Sequence, residues 1–257
     1  PAVLKQPASV SLGLLNVENT ISAYSVLSVF AIWVVLQQPN GVGFMLPAVA
    51  AIFLAWFVWL LATRCDSEER GKMSALFFLI VISTVFWSMF EQSGGSMTLF
   101  ADRATDLTLF GIELTAAQFG SANAIFIVLL SPIFALMWPA LLSNNIEPST
   151  PAKFGLGIVQ VGLGFGALLI GLNNPDSAGL VSAWWLVLAY FLHTSAELCL
   201  SPIGLSAVTK LSIARYVGVM MGAWFLASAY GSYLASELAI FFSSIGGEDG
   251  RLDNSGF

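Results

Sequence analysis

Two acidic residues lie within or beside long apolar runs of the sequence. Glu91 lies inside the run 75–95, and Glu197 lies inside the run 180–202. Leaving a charged side chain at the centre of a lipid bilayer costs at least about 2.5 to 3.5 kcal/mol. In helices that cross a membrane, both carboxyl groups must therefore face protein or water. Groups of this kind can exchange a proton or hold a cation, which makes them the first candidates for working residues.

The neighbours of Glu91 extend its polar face along the predicted helix. Ser83, Thr84 and Trp87 recur at helical spacing before it, so the four side chains form one polar and aromatic stripe. Such a stripe lines a cavity or contacts a partner helix. For Glu91 two interpretations stay open, a protonatable group on a transport path and an ion pair with a basic residue of another helix.

The neighbours of Glu197 include the one histidine of the chain. His193, Glu197 and Ser201 follow each other at four-residue steps, with Tyr190 one turn earlier, so they are expected to share a face. His193 alone is better explained as a structural residue. Pro202 is expected to break this helix, because proline lacks the backbone N–H of the helical ladder.

A third polar position is Asn123, near the start of the apolar run 117–142. A hydrogen bond to another helix explains an asparagine there as well as a ligand contact does. The following run, 154–173, carries glycines at three- and four-residue spacing. Small residues let helices approach closely in lipid, so this segment is predicted to serve packing.

The composition identifies the class of protein. Hydrophobic residues make up 57% of the chain and charged residues 9%, against about a quarter in soluble domains. The sequence therefore predicts an integral membrane protein. Its nine Lys and Arg are scattered, which argues against nucleic-acid binding. The sequence also has no metal-ligand cluster and no nucleophile paired with a base, so neither an enzyme nor a bound cofactor or metal is expected.

Seven segments are long and apolar enough to cross a bilayer, which takes about 20 residues. They are 20–37, 44–63, 75–95, 117–142, 154–173, 180–202 and 217–243. The predicted fold class is therefore an all-α, polytopic membrane helical bundle. Most basic residues fall on one side of the membrane if the chain starts in the cytoplasm, which the positive-inside rule favours. These residues are Lys5, Arg64, Arg70, Lys72, Lys153, Lys210 and Arg215.

Three long strings resemble those of the proton-dependent oligopeptide transporters of the major facilitator superfamily. They are FWSMFEQSGGSMTLFADR, QFGSANAIFIVLLSPIFALMW and HTSAELCLSPIGLSAVTKLSIARYVGVMMGAWFLA. The resemblance implies the C-terminal half of that fold, with helices 7 to 11 and the loop towards helix 12 in residues 71–257. It also implies that residues 1–70 are the transmembrane helix hairpin that bacterial members insert between the two halves. The chain is accordingly expected to be a fragment, with the N-terminal six-helix half of the same transporter as its partner.

The resemblance also implies roles for residues on the substrate path. Glu197, in the string ELCLSP, is similar to the carboxylate that holds the N-terminal ammonium of a peptide. Asn123 would hydrogen-bond the same end of the ligand, although Ala124 replaces the proline that commonly follows it. Trp87 and Trp224 are similar to aromatic residues of the pocket wall, and Ser201 adds a contact.

Further roles implied by the resemblance concern protons and gating. Glu91 matches the acid of the seventh helix that is implicated in proton coupling, with Phe90 where some relatives carry a second acid. Asp102 and Arg103 match the FADR string at the outer end, where the aspartate is thought to join a gate.

The resemblance implies a proton-coupled symporter that takes up di- and tripeptides by alternating access in the inner (cytoplasmic) membrane of a bacterium. The implied partners are di- and tripeptides, protons and the lipid bilayer, with protons as the coupling ion. Two alternatives stay open: a proton-coupled transporter of another solute such as nitrate, and a proton-conducting subunit of an energy-converting membrane complex.

Overall fold

The structure is a computed structural model, and it describes residues 11–12, 15–38 and 41–245. The chain divides into two compact units, Pro1–Trp56 and Phe57–Phe257. The prediction of a hairpin domain in 1–70 and a bundle in 71–257 stays a prediction. Of the implied loop towards helix 12, the part after residue 245 lies outside the described residues.

Helices make up almost all of the described chain. They are α1 Val17–Leu36, α2 Gly41–Thr63, α3 Ser67–Phe90, α4 Ser96–Ala104, α5 Ala116–Gly120, α6 Ala122–Ser143, α7 Thr150–Leu172, α8 Ala183–Leu211 and α9 Val217–Ile245, with 3-10 turns at Glu91–Gly94 and Ala214–Tyr216. The strands are two residues long: β1 Ser11–Leu12, β2 Leu15–Asn16, β3 Thr105–Asp106, β4 Thr108–Leu109, β5 Ile112–Glu113 and β6 Val181–Ser182. In the first unit β1 pairs with β2, and in the second β3 pairs with β6 and β4 with β5.

The all-α membrane class is confirmed. In the described residues six helical stretches are long and apolar enough to cross a membrane, at Gly41–Thr63, Ser67–Ala104, Ala116–Ser143, Thr150–Leu172, Ala183–Leu211 and Ala214–Phe241. They correspond to the second to seventh predicted spans. The first predicted span, 20–37, coincides with α1, whose apolar stretch Asn19–Val35 is shorter.

The helix α3 begins earlier than the predicted start at residue 75. A capping box at its first turn starts it at Ser67: the Asp66 carboxylate accepts from the Glu69 backbone N–H at 2.8 Å, and the Glu69 carboxylate accepts from the Asp66 N–H at 3.2 Å. These two bonds satisfy backbone donors that have no partner inside the helix. The charged link between the second and third spans is therefore partly helical.

The prediction that Pro202 breaks its helix is wrong. Helix α8 continues through Pro202 to Leu211. Proline removes one hydrogen bond from the ladder, but inside a bundle the remaining bonds and the neighbouring helices can hold the backbone in place. Here α8 packs against α3, α6, α7 and α9, so side-chain packing outweighs the loss of one bond.

Helix α7 packs closely along α8 through three glycines at seven-residue spacing. A Cβ atom at Gly157 would lie 3.2 Å from the Ala196 carbonyl oxygen. At Gly171 it would lie 2.8 Å from the Trp185 ring. Gly164 faces His193 in the same way. The prediction that this helix serves packing is confirmed.

At one end of the second unit, short strands tie the helices together. Strand β3 follows α4 directly, and β6 precedes α8 directly. The two strands run parallel, with Thr105 opposite Val181 and Asp106 opposite Ser182. Beneath them lies a buried apolar cluster that includes Phe100.

Candidate functional site

The side chains of Glu197 and Asn123 meet between α8 and α6. Both are half-buried, and the Asn123 amide Nδ2 donates to the Glu197 carboxylate Oε2 at 3.1 Å. Asn123 is the second residue of α6, so the short α5 and the turn before it place this amide beside the middle of α8. The two residues that the resemblance assigns to one end of a ligand are thus in direct contact.

Thr194 belongs to the same cluster, although it was not predicted as a site residue from the sequence. Its Oγ1 accepts a second hydrogen bond from Asn123 Nδ2 at 3.1 Å. The same hydroxyl donates to the Tyr190 carbonyl oxygen at 2.7 Å. Thr194 precedes Glu197 by three residues, a spacing that places two side chains on one helix face. That spacing was the signal that could have found it.

Glu91 lies at the point where the regular helix α3 ends. Its backbone N–H donates to the Trp87 carbonyl oxygen, and the chain then turns into the 3-10 segment Glu91–Gly94. The Glu91 carboxyl is half-buried and has no hydrogen bond or ion pair with the part of the chain that the structure describes. The helix that ends before Glu91, α3, packs against α8, which bears Glu197. Within 57–245, the alternative of an ion pair to another helix finds no support.

The turn beside Glu91 is anchored to α9. Gln92 is buried, and its Nε2 donates to the Ala235 carbonyl oxygen at 3.0 Å. Its Oε1 accepts from the Ser96 hydroxyl at 2.7 Å. The amide thereby fixes the backbone next to the acid from both sides.

His193 does not face Glu197. Its side chain is 1% exposed and points into α7, where Nε2 lies 3.1 Å from the Val161 carbonyl oxygen. A carbonyl oxygen only accepts, so Nε2 carries the proton of this bond. The Phe165 ring packs edge-on against the imidazole at 4.9 Å between centroids. The expectation of one shared face is therefore wrong for these two residues, while the structural interpretation of His193 agrees with its burial.

The two tryptophans predicted to line a pocket are both packed against neighbouring helices. Trp87 is half-buried, its ring packs edge-on against the rings of Phe86 and Phe90, and its Cβ lies against Gly231 of α9. Its Nε1 is buried and has no acceptor within the described chain. The indole N–H is therefore a buried donor that the described chain leaves unsatisfied.

Trp224 is only 2% exposed. Its ring packs edge-on against Phe154 of α7, with 6.1 Å between centroids, and fills the space above Gly204 of α8. In this conformation the indole joins three helices. The role of Trp224 as a pocket wall stays a prediction.

The remaining predicted residues lie apart from the carboxylate cluster. Ser201 is half-buried one turn beyond Glu197. Asp102 and Arg103 are exposed in the last turn of α4. None of the three has a hydrogen bond or ion pair to the described part of the chain. Their predicted roles therefore stay predictions.

The site can hold either a proton or a cation. Glu197 offers a carboxylate that is positioned by one amide, with a second acid nearby, and none of its described contacts is a positive charge. Groups of three or more His, Cys, Asp or Glu side chains that could bind a metal are absent from the described residues. The arrangement suits reversible proton binding and recognition of an ammonium group.

The chain is similar in sequence to known proteins. The model of the POT family matches residues 45–251. The peptide transporter YePEPT of Yersinia enterocolitica is 40% identical over 73% of this chain and 37% of its own length. The di-/tripeptide transporter of Lactococcus lactis subsp. lactis is 34% identical over 74% of this chain and 39% of its own.

A solved structure is also similar. The crystal structure of a peptide transporter, POT, as a glutamate-to-glutamine mutant in complex with alafosfalin, matches with a TM-score of 0.74 and 32% identity. The match covers 90% of this chain and 48% of that one, so the chain spans less than half the length of these relatives. The family model covers most of the chain, and its fold is that of the major facilitator superfamily. The chain belongs to the POT family of membrane transporters.

Proposed function

We propose that this chain is the C-terminal part of a proton-coupled symporter that takes up di- and tripeptides by alternating access. The observation that carries the proposal is the Glu197 carboxylate, held by Asn123 and lying near a second acid. The relatives named as peptide and di-/tripeptide transporters support the class of substrate.

In this mechanism Glu197 exchanges a proton for the N-terminal ammonium of the peptide. The carboxylate can hold one positive group at a time, so arrival of the ammonium displaces the proton. Asn123 adds a neutral contact beside it, and Trp87 can donate its free indole N–H. Trp224 and Ser201 complete the substrate site in this proposal.

Glu91 takes the role of the proton carrier that does not bind substrate. Two carboxylates in one partly dry space repel each other, so ionisation of one favours protonation of the other. A proton entering from the more acidic side can therefore reside on either acid. Each positive charge that moves inward gains about 2.3 kcal/mol per 100 mV of membrane potential, and this free energy drives uptake.

The proposal includes parts outside the described residues. Alternating access needs an N-terminal six-helix half that rocks against this one around a site near the midplane. Asp102 and Arg103 contribute to the outer gate. We propose a transporter without enzymatic activity, without a cofactor, and with protons as the coupling ion.

The test is Glu197→Gln in the complete transporter, reconstituted in liposomes with an inward proton gradient. Gln keeps the shape and the contact to Asn123 but cannot exchange a proton, so uptake of labelled dipeptide should fall at least tenfold. Glu113→Gln, an exposed position in β5, is the matched control and should keep the wild-type rate. Wild-type uptake by Glu197→Gln would remove Glu197 from the mechanism.

The same liposomes separate the two alternatives. Unlabelled dipeptide should compete with the labelled one, while nitrate should not. A proton-conducting subunit shows proton flux without any such competition. Proton flux that is independent of dipeptide would therefore contradict the symport proposal.

A further inference from the structure

The hydroxyl of Thr194 determines which way the Asn123 amide faces. Thr194 Oγ1 lies 2.7 Å from the Tyr190 carbonyl oxygen, and a carbonyl can only accept. The hydroxyl proton is therefore committed to Tyr190. Toward Asn123, Oγ1 can then only accept, so the group that faces it at 3.1 Å must be the amide NH₂.

This polarity does not depend on Glu197. The second N–H of the same NH₂ group points at Glu197 Oε2. If the amide rotated by half a turn, its Oδ1 would face Thr194 Oγ1, and two acceptors would meet without a proton between them. The tertiary structure thus holds a donor, rather than an acceptor, against the carboxyl group in both of its protonation states.

We propose that Thr194 is a positioning residue for proton exchange: by locking the Asn123 amide with its N–H toward Glu197, it favours the charged carboxylate and promotes release of the proton. An amide N–H stabilises a carboxylate that it donates to, and hydrogen bonds to charged groups are the stronger ones. A protonated Glu197 would instead donate its O–H to the amide oxygen. The hydrogen bond to Thr194 keeps Asn123 Oδ1 turned away from Glu197, so that acceptor is not offered. This inference rests on the proposed function.

The lock also fixes which atoms are left for a ligand. Asn123 Oδ1 and Glu197 Oε1 accept no hydrogen bond from the described chain. Both are acceptors, so the pair matches an ammonium group, which has three donors. An acylated N-terminus offers one donor and no charge, and it should be discriminated against.

Few other charged groups can influence Glu197. Among the helices packed against α8, α6 has no ionisable side chain and α9 carries the charged residue Glu237. Helix α3 carries Glu68, Glu69, Arg70 and Lys72 near its start and is followed by Glu91. On α7 the charged residue is Lys153, which pairs with Glu147. On α8 itself, Lys210 lies in the last turn, and His193 is engaged with Val161. Glu91 follows α3, which packs against α8, and is the second acid of the proposed mechanism.

The experiment compares Thr194→Val with Thr194→Ser in the complete transporter. Thr194 is fully buried, and valine preserves its volume and branching while removing the hydroxyl. Serine keeps the hydroxyl and is the matched control. Without the hydroxyl the amide can turn its Oδ1 to a protonated Glu197, so the proton is retained to higher pH.

Two readouts follow the proton. The first is the pH at half-maximal proton-driven dipeptide uptake, and the second is the infrared carboxylic C=O band that disappears in Glu197→Gln. In Thr194→Val both midpoints should rise by about one pH unit. In Thr194→Ser both should stay at the wild-type value. In an Asn123→Ala background, Thr194→Val should cause no further shift, because the amide that it orients is gone.

The inference is overturned if Thr194→Val leaves the midpoint unchanged or lowers it, if Thr194→Ser shifts it equally, or if the shift persists in the Asn123→Ala background. The infrared readout needs no transport. If the wild-type protein took up no dipeptide but Thr194→Val still shifted the infrared midpoint, the proposed function would be contradicted and the role of Thr194 would stand. If the wild-type protein took up dipeptide but Thr194→Val shifted neither midpoint, the proposed function would stand and the role of Thr194 would be contradicted.

Discussion

Gly164 lies directly beneath the imidazole ring of His193. A Cβ atom at position 164 would come within 2.5 Å of the ring carbon Cδ2 and 2.6 Å of Nε2. The ring cannot move aside freely, because Nε2 donates to the Val161 carbonyl oxygen and Phe165 packs against the ring. The contact between α7 and α8 therefore requires glycine at this position.

The first prediction is that Gly164→Ala destabilises the bundle. Overpacking in a close-packed interior costs about 1 to 3 kcal/mol, so the thermal unfolding midpoint of the detergent-solubilised protein should fall by several degrees. Gly162→Ala on the same helix is the control, because a Cβ there has nothing within 4 Å. It should unfold at the wild-type temperature or slightly above. Equal midpoints for Gly164→Ala and wild type would contradict the packing described.

The second prediction concerns Trp224 and tests its role as a pocket wall. A Cβ at Gly204 would overlap the far edge of the Trp224 ring, so Gly204→Ala should displace the indole. If Trp224 contacts substrate, the KM for dipeptide uptake should rise about threefold or more. Gly222→Ala is the control on α9, where a Cβ meets nothing within 4 Å. A lower unfolding temperature with unchanged KM would show that the indole serves packing alone.

The third prediction concerns a buried ion pair at the start of α7. Lys153 is paired with Glu147, and its ammonium lies 4.3 Å from the centre of the Trp138 ring. The Lys153 side chain is 7% exposed and that of Glu147 is 29% exposed. Removing one partner of a buried pair costs about 3 kcal/mol or more when the other charge stays buried.

The two single variants should therefore differ. Glu147→Gln leaves the buried ammonium unpaired and should lower the unfolding temperature more than Lys153→Met, after which the more exposed Glu147 can still reach water. The double variant should recover part of the loss in Glu147→Gln, because no unpaired charge remains. If Glu147→Gln were the milder change in thermal unfolding, the ion pair would not be what stabilises this turn.

The fourth prediction concerns the exposed end of α4. Asp102 has no ion-pair partner among the described residues and is exposed, so its charge is free to pair with another part of the transporter. If it helps to close an outer gate, Asp102→Asn should reduce proton-driven dipeptide uptake several-fold and change its pH dependence. Glu113→Gln, equally exposed, serves as the control. Uptake and pH dependence like those of wild type would exclude this role.

Much of the fold could be predicted from the sequence. A run of about 20 apolar residues has few alternatives to a membrane helix, since the bilayer leaves no other partner for the backbone. The helix ends were less accessible. Asp66 and Glu69 form a capping box that starts α3 before the predicted span at residue 75. The rule that proline ends a helix considers only the local backbone, so it predicts a break at Pro202 and misses the packing of α8 against four helices.

The candidate site shows the same limit. The resemblance placed Glu197 and Asn123 at one end of a ligand, and the structure brings them to 3.1 Å. Helical spacing grouped His193 with Glu197, but Gly164 on α7 leaves room for the imidazole, which bonds to the Val161 carbonyl oxygen instead. Thr194 was missed because a lone threonine in an apolar helix is ordinary. Its importance comes from an asparagine 71 positions away.

The pairing of β3 with β6 affects how the chain segments that lead to and from the two acids can move. One strand continues the segment that starts at Glu91, and the other leads straight into the helix that bears Glu197. The backbone hydrogen bonds between the two strands couple these segments at one end of the second unit. A motion of α4 away from the start of α8 must therefore break the pairing of Thr105 with Val181 and of Asp106 with Ser182.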